Sequence, residues 1–294
     1  MSETLITTVT DGQKKQVKRF AEDAVDRAIA EGLLNKDGIQ KLIENGDEFQ
    51  LRIVTGIKEL SVSNQFADEE VQSSYAYPKG YTVRGITEQT NILRQLFPGI
   101  GFADEKLADQ PLPTNAEGWF AIPKWEKFAP TYGEAVEKVL AMIGSKRKFY
   151  NYRDGQLGVE YLRQHAKTVK MFQKLGDEQK DFDILVVPAQ FGLRHKGRSV
   201  RRAREVFAAN EFGLGAFAIG IMLLTHPERE VQWGQLHVDC AGDEFNVPDS
   251  AVCFGGAPGF GFDGDRVGFG AGDVSVACGF CGSASGFIPQ QLES

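Results

Sequence analysis

Arg194, His195, Lys196, Arg198, Arg201, Arg202 and Arg204 crowd one short stretch of chain, directly after the apolar run in FDILVVPAQ. Guanidinium forks and an ammonium at this density suit a phosphate or carboxylate, and a helix opening near Ser199 would add free backbone N–H groups. A helix N-terminus disfavours positive charge, so Arg198, Arg201 and Arg202 call for an anion there. Arg194, His195, Lys196, Arg198, Arg201 and Arg202 form the expected ligand-binding set, with nucleic acid or another phosphate-bearing ligand as partner. The competing reading is a solvated helix face whose arginines pair with acidic residues elsewhere.

Two weaker sets lie downstream. Cys278 and Cys281 have the two-residue spacing of a zinc knuckle, and His237 with Cys240 repeats it upstream. Cys253 stands alone, and scattered cysteines in a reducing compartment are by default small buried apolar groups. A redox Cys-x-x-Cys expects a strand before it and a helix N-terminus after it, a context the glycine-rich surroundings do not offer. Asp239, Asp243 and Glu244 follow the strand expected at Leu236 to Cys240, where carboxylates hold Mg²⁺ for phosphoryl chemistry with His237 as a base, or simply build a turn. His195 and His226 read as surface or helix-end positions. Trp119, Phe120 and Trp125 beside Lys124 and Lys127 suit base stacking or, more simply, a strand's core face. The chain carries no Walker loop, dinucleotide-binding fingerprint, nucleophile elbow or zincin motif.

These residues need a scaffold. A chain of 294 residues, 42% of them hydrophobic, can bury a full core. Its formal charge of -7 repels phosphate on average, so a nucleic-acid contact must be local. The N-terminus lacks a secretory pattern, and the longest apolar run, Phe212 to Leu224, falls short of the roughly 20 residues that cross a bilayer. The expectation is a soluble cytoplasmic protein with no membrane partner, whose glycine-rich tail and buried helix allow a homo-oligomer.

Val17, Phe20, Ala21, Ala24, Val25, Ala28 and Ile29 share one helical face, and two shorter amphipathic helices follow around Ile39 to Ile43 and Phe49 to Leu60. The polar stretch Ser61 to Gly85 reads as a linker or long loop. Beyond it the pattern predicts a helix over Thr87 to Phe97, a strand over Trp119 to Ile122 and a helix capped by Thr131 with Glu134. A helix over Val159 to Leu175 ends at Gly176, a strand runs Phe182 to Val187 and breaks at Pro188, and a helix buried on several sides covers the run from Phe212. Asp263-Gly264 signals a hairpin in the tail. The fold class is α/β (or α+β), with an N-terminal helical unit, a mixed-sheet core with flanking helices and a Gly-rich C-terminal β segment. The divisions fall at 1–80, 81–245 and 246–294.

The segments GITEQTNILRQLFPGIGFADE, NAEGWFAIPKWEKFAPTYGEAVEKVL, EFGLGAFAIGIMLLTHPERE, VDCAGDEF and GSASGFIPQ carry a resemblance. Together with the opening segment, they make the chain similar to a family of uncharacterised prokaryotic proteins known from environmental genomes. The likeness covers roughly Gly85 to Phe245 and the final residues. It implies no activity, so no residue's role is carried over, and Cys253 to Cys281 departs from the family's strand-like ending. From the residues alone, the expected function is binding of a phosphate-bearing ligand, nucleic acid above all, through the basic strand–loop–helix segment. The alternatives are a metal-dependent phosphoester hydrolase and a self-associating structural or assembly protein.

Overall fold

The computed structural model describes residues 10–61, 65–229, 232–248 and 252–289, and the chain divides into two units, Met1–Leu60 and Ser61–Ser294. Residues 62–64 of the expected linker, and 249–251 and 290–294 of the C-terminal segment, lie outside the described residues.

The first unit contains α1 (Asp11–Ala30), α2 (Lys36–Glu44) and α3 (Gly46–Ser61). Asn35 caps α2 by accepting the Gly38 N–H at 2.8 Å. These amphipathic helices form as their periodicity dictates, but among the described residues none of their side chains is buried: no residue of α2 is, and Val17, Phe20, Ile43 and Val54 are exposed.

In the second unit, α4 (Ile86–Leu96) precedes β1 (Gly118–Pro123) and α5 (Tyr132–Lys146), whose cap is the expected one, with Thr131 Oγ1 accepting the Glu134 N–H at 3.3 Å. The chain continues through β2 (Phe149–Asn151), β3 (Leu162–Gln164), α6 (Ala166–Glu178), β4 (Ile184–Gln190), α7 (Val200–Val206), β5 (Glu211–Gly213) and α8 (Ala216–Thr225). It closes with β6 (His237–Asp239), β7 (Asp243–Phe245), β8 (Gly256–Asp263), β9 (Arg266–Asp273), β10 (Cys281–Ser283) and β11 (Ser285–Phe287). One sheet is antiparallel in the order β1-β4-β11-β5; the other is mixed, built on β10-β6-β8-β7-β3 with β9 joining β8 to β2. The α/β class therefore holds. Every residue of α8 is buried, and among the described residues no helix is long and apolar enough to cross a membrane.

Three local expectations are corrected. The strand β4 does not break at Pro188 but runs to Gln190. Its register pairs Val187 with Phe120 and Pro188 with Trp119. The alternation turns the Pro188 nitrogen away from β1, into the gap between Gln179, which bonds both backbone groups of Val186, and β11, whose pairing starts at Ala189. The missing N–H thus forfeits no ladder bond. Val159 to Leu175 is not one helix: Leu162–Gln164 pairs with β7, and His165 caps α6 by accepting the Lys167 N–H at 3.3 Å, so α6 runs on past Gly176. Residues 65–85 are not a linker but a long loop, the other of the two readings, and they pack within the second unit. The Val71 N–H donates to the Gly197 carbonyl at 2.8 Å, and the Leu236 N–H to Ala76 at 3.0 Å. The residues after 246 are integral too, since β11 lies between β4 and β5.

Candidate functional site

The basic segment folds as read, with Ser199 capping α7 through the Arg202 N–H at 3.1 Å, but its cations face carboxylates of the same chain. Arg201 grips Glu69 through Nε at 2.7 and 2.8 Å. Arg202 Nε meets Glu70 at 2.6 Å and its Nη1 meets Glu205 at 2.8 Å, while Arg198 reaches Glu70 at 3.3 Å. Lys196 donates to the Tyr75 carbonyl, and Arg204 to the carbonyls of Ala241 and Asp243.

At the centre, His195 and Glu211 are fully buried; His195 closes the short helical turn Leu193–His195, so of the two readings the helix end holds and the surface position does not. Arg198 Nη1 lies 3.1 Å from His195 Nδ1, and an arginine can only donate, so Nδ1 accepts. The ring proton is then on Nε2, which donates to Glu211 Oε1 at 2.7 Å. Burial holds the imidazole neutral, its pKa pushed below the ordinary value. Glu211 also accepts from Arg194, from the Ser285 hydroxyl at 2.6 Å and from the Ala208 N–H at 2.9 Å. Against its burial, these donors hold its pKa down at about 2. The segment clasps residues 65–76 and β5 to the body of the second unit.

The acidic set does not converge. Asp243 is buried beneath α8, where it accepts the Ala216 N–H at 2.6 Å and lies 2.9 Å from the Tyr132 hydroxyl. It caps a helix whose own cap, Gly215, has no side chain to offer. Glu244 pairs at the surface with Arg163 at 2.7 Å. Burial raises the Asp243 pKa to about 7, from 3.8. The folded state then binds the extra proton between those values, so the stability tied to the neutral acid is full below pH about 4 and is lost as pH rises through 7. Asp243→Asn, neutral at every pH and able to donate to Tyr132, should flatten that slope and make the variant about 2 kcal/mol more stable than wild type at pH 8, while near parity at pH 5. Urea denaturation at the two pH values measures it; a parallel decline in both proteins would refute the assignment.

Cys278 and Cys281 form a disulfide, Cys240 is buried and Cys253 is exposed. Among the described residues, no three of His, Cys, Asp or Glu gather closely enough to hold a metal ion. The zinc set of Cys278, Cys281, Cys240 and His237 and the magnesium set of Asp239, Asp243 and Glu244 thus have no common centre here.

What the structure does bring together is His237, Asp239 and the disulfide, on the open face of the mixed sheet. Along β8 and β9, Phe260, Phe262, Val267 and Phe269 turn inward and are buried, and the Phe260 and Phe269 rings meet at 5.0 Å. The opposite phase is glycine: Gly259 pairs with Gly270 and Gly261 with Gly268, while Gly272 pairs with Ala257. Adjoining rows carry Asp239 opposite Gly259 and Cys281 opposite His237, and Tyr150 opposite Gly268. The result is a cleft of about 580 Å³ with a bare backbone floor, rimmed by Trp233, Phe280, Tyr152 and Val276.

Two kinds of glycine make this floor. A Cβ on Gly261 would lie 2.7 Å from His237 Nδ1, and one on Gly259 would lie 3.4 Å from Asp239 Oδ1, so these side chains lie flat along the sheet. Gly270 and Gly272 would meet nothing within 4 Å, and neither has a positive φ. Glycine within a strand costs roughly 0.5–1 kcal/mol relative to alanine. The fold has no use for it at 270 and 272, and such positions mark the close approach of a ligand or another backbone. The alternation of glycine with phenylalanine, FGF against GFG, was the sequence signal for this floor.

Within the cleft, Asp263 accepts from the Tyr152 hydroxyl at 3.0 Å and Asp273 from Ser275 at 2.7 Å. The Asp239 carboxyl has no hydrogen bond among the described residues, and burial raises its pKa to about 7. His237 Nε2 accepts the Phe262 N–H at 3.3 Å, and burial lowers its pKa, so the ring is neutral. A second cleft of about 460 Å³ lies between β1 and α6, beside Trp125 and Phe172. Three of its polar groups serve the fold: Lys124 bonds the Gln179 carbonyl at the end of α6, Lys127 pairs with Asp183 at 2.8 Å, and Tyr132 holds Asp243. Comparison with known protein families, curated proteins and solved structures returned no match.

Proposed function

We propose that the protein binds an organic cation of the alkylammonium type along the glycine-floored cleft, with Asp239 as its counter-ion. The observation that carries this reading is the lining itself, which holds Asp239, Asp263 and Asp273 with the rings of Trp233, Phe280 and Tyr152 and includes no lysine or arginine. Carboxylates beside exposed aromatic faces attract a desolvated cation and repel phosphate, and the bare floor lets methylene groups lie against the backbone. The nucleic-acid reading of the basic segment fares less well, because its guanidinium groups are already matched by Glu69, Glu70, Glu205 and Glu211.

Asp239 couples binding to protons. Its pKa of about 7 means that it is neutral in slightly acid solution and charged above, and a bound cation favours the charged form. Affinity for spermidine should therefore rise from pH 6 to pH 8 by roughly tenfold, with proton release. Asp239→Asn should weaken binding about tenfold at pH 8 and remove the pH dependence. Isothermal titration of both proteins in two buffers at each pH tests this. Spermidine that fails to bind at millimolar concentration, or binds both proteins alike, would sink the reading; a lysine-rich peptide in a second arm distinguishes a free amine from a protein side chain as the source of the ammonium.

A further inference from the structure

Cys278 and Cys281 lie at the edge of the same cleft. The turn between them is anchored on both sides: the Cys281 N–H donates to the Cys278 carbonyl at 3.2 Å, and the Cys281 carbonyl accepts the Gly197 N–H at 2.9 Å. Phe280 between them is exposed, with its ring 5.1 Å from that of His237. Both cysteines are half-buried and open to the cleft, and Cys281 is the register partner of His237 on the parallel pair β10 and β6. Two residues along the same face of β6 stands Asp239, the carboxyl with no partner among the described residues. A disulfide that spans two residues at the mouth of a cleft, next to an imidazole and a free acid, has the parts that thiol–disulfide exchange requires: an accessible sulfur and a proton source for the departing thiolate.

We propose that Cys278–Cys281 is a thiol–disulfide exchange centre that oxidises a dithiol entering the glycine-floored cleft, with Cys278 as the sulfur attacked and Cys281 as the leaving group. The incoming thiolate forms a bond to Cys278 Sγ as the Sγ–Sγ bond breaks, and the electron pair leaves on Cys281 Sγ. Asp239 supplies the proton that neutralises that thiolate, with His237 lying between the two along the sheet. The proton that the first substrate thiol loses on becoming the attacking thiolate is returned to Asp239; the second thiol then attacks the mixed disulfide, and Cys278 departs as a thiolate that takes up the proton this second thiol releases. In sum the dithiol loses two electrons and two protons and becomes a disulfide, and the cysteine pair gains them. Cys278 is the attacked sulfur because it lies on the turn, outside the strand, whereas Cys281 is held in β10 beside His237, with Asp239 two residues further along β6. The titratable groups that share the cleft with Asp239 are His237 on its own strand, Cys281 from β10, Asp263 and Asp273 from the hairpin β8–β9, and Tyr152 after β2, and behind them Arg229 acts on His237, Arg266 on Asp263 and Arg201 on Asp273.

The test uses the full chain with the exposed Cys253 changed to serine and dithiothreitol as the dithiol. Thiols released over time are counted after acid quench and alkylation. At pH 6.5 the protein should react at least tenfold faster than the isolated oxidised peptide of sequence CGFC, and Asp239→Asn should slow it about tenfold. That difference should close by pH 8.5, where the acid no longer carries its proton. Cys281→Ser should trap a mixed disulfide on Cys278 with a small aromatic disulfide reagent, faster than Cys278→Ser traps one on Cys281. A rate equal to that of the peptide, or an Asp239→Asn protein that matches its parent at pH 6.5, would overturn the proposal. So would a cysteine pair that stays reduced after treatment with diamide. The Cys278→Ser/Cys281→Ser protein, checked for folding by circular dichroism, separates this activity from cation binding: spermidine affinity that survives there shows that the two readings stand or fall apart.

Discussion

Replacing Gly270 by Val leaves the protein folded, with a melting temperature equal to or above that of wild type, and lowers its spermidine affinity at least thirtyfold. The backbone at 270 is ordinary strand, and a Cβ there meets nothing within 4 Å, so the side chain has room. Valine fits a pleated strand better than glycine, which in most strands is the destabilising choice by up to ~1 kcal/mol. The same isopropyl group stands in the middle of the floor, one row partner from Gly259 and in line with Asp239. It lifts any bound chain off the backbone and away from that carboxyl. Stability rising while affinity falls is an outcome that general misfolding does not produce. Calorimetry for both quantities settles it, and unchanged affinity would mean that nothing lies on the floor at 270.

Glu211→Ala is expected to cost about 3–5 kcal/mol, among the largest single losses available to the second unit. The carboxylate is fully buried, and its removal strands Arg194, the Nε2–H of His195, the Ser285 hydroxyl and the Ala208 N–H at once. It also removes the side-chain bond that Ser285 of β11 makes to Glu211 of β5, leaving the backbone ladder between the two strands in place. Glu211→Gln keeps one acceptor oxygen but sets an amide among donors, and should lose roughly half as much. Acid titration checks the charge. The folded-state pKa of about 2 lies below the ordinary 4.5, so the stability it contributes is full above pH 4.5 and disappears as pH falls toward 2. Wild type should lose about 3 kcal/mol over that window in excess of the Glu211→Gln variant. Chemical denaturation at pH 7 and pH 3 measures both effects; a loss under 1 kcal/mol at pH 7 would show that the cluster is dispensable.

How much of this was legible beforehand depended on distance along the chain. The cap at Thr131, the start of α7 at Ser199 and the turn at Asp263-Gly264 are each written within a few residues and are read from the sequence; the buried helix is too, but it starts at Ala216 and not at Phe212, which belongs to β5. Pro188 misled because a proline reads as a stop unless one knows which edge of the strand its nitrogen faces, and Gln179 and β11 decide that. The arginines of 194 to 204 meet anions of the chain itself: Glu205 and Glu211 stand close by in sequence, but Glu69 and Glu70 lie 132 residues or nearly so away, beyond any local pattern. His237, Asp239, Cys278 and Cys281 were all singled out in the sequence, under metal readings that grouped them with Cys240, Asp243 and Glu244. Strand pairing re-sorted them. The parallel register of β6 and β10 sets Cys281 beside His237, while the chain's turn after Asp239 carries Asp243 beneath α8.

The place of β11 has a consequence for how the chain acquires its shape during synthesis. Residues 118–123 and 184–190 pair with each other as soon as both have been made, and β5 follows at 211–213, yet β4 and β5 remain apart until Ser285–Phe287 slots between them. A growing chain on the ribosome therefore carries two half-finished strand edges for the time taken to add some seventy more residues, a matter of several seconds at typical elongation rates. The closing piece arrives last. Over that interval the nascent protein is open to wrong pairing, and its sheet is sealed only once residues 285–287 have left the exit tunnel.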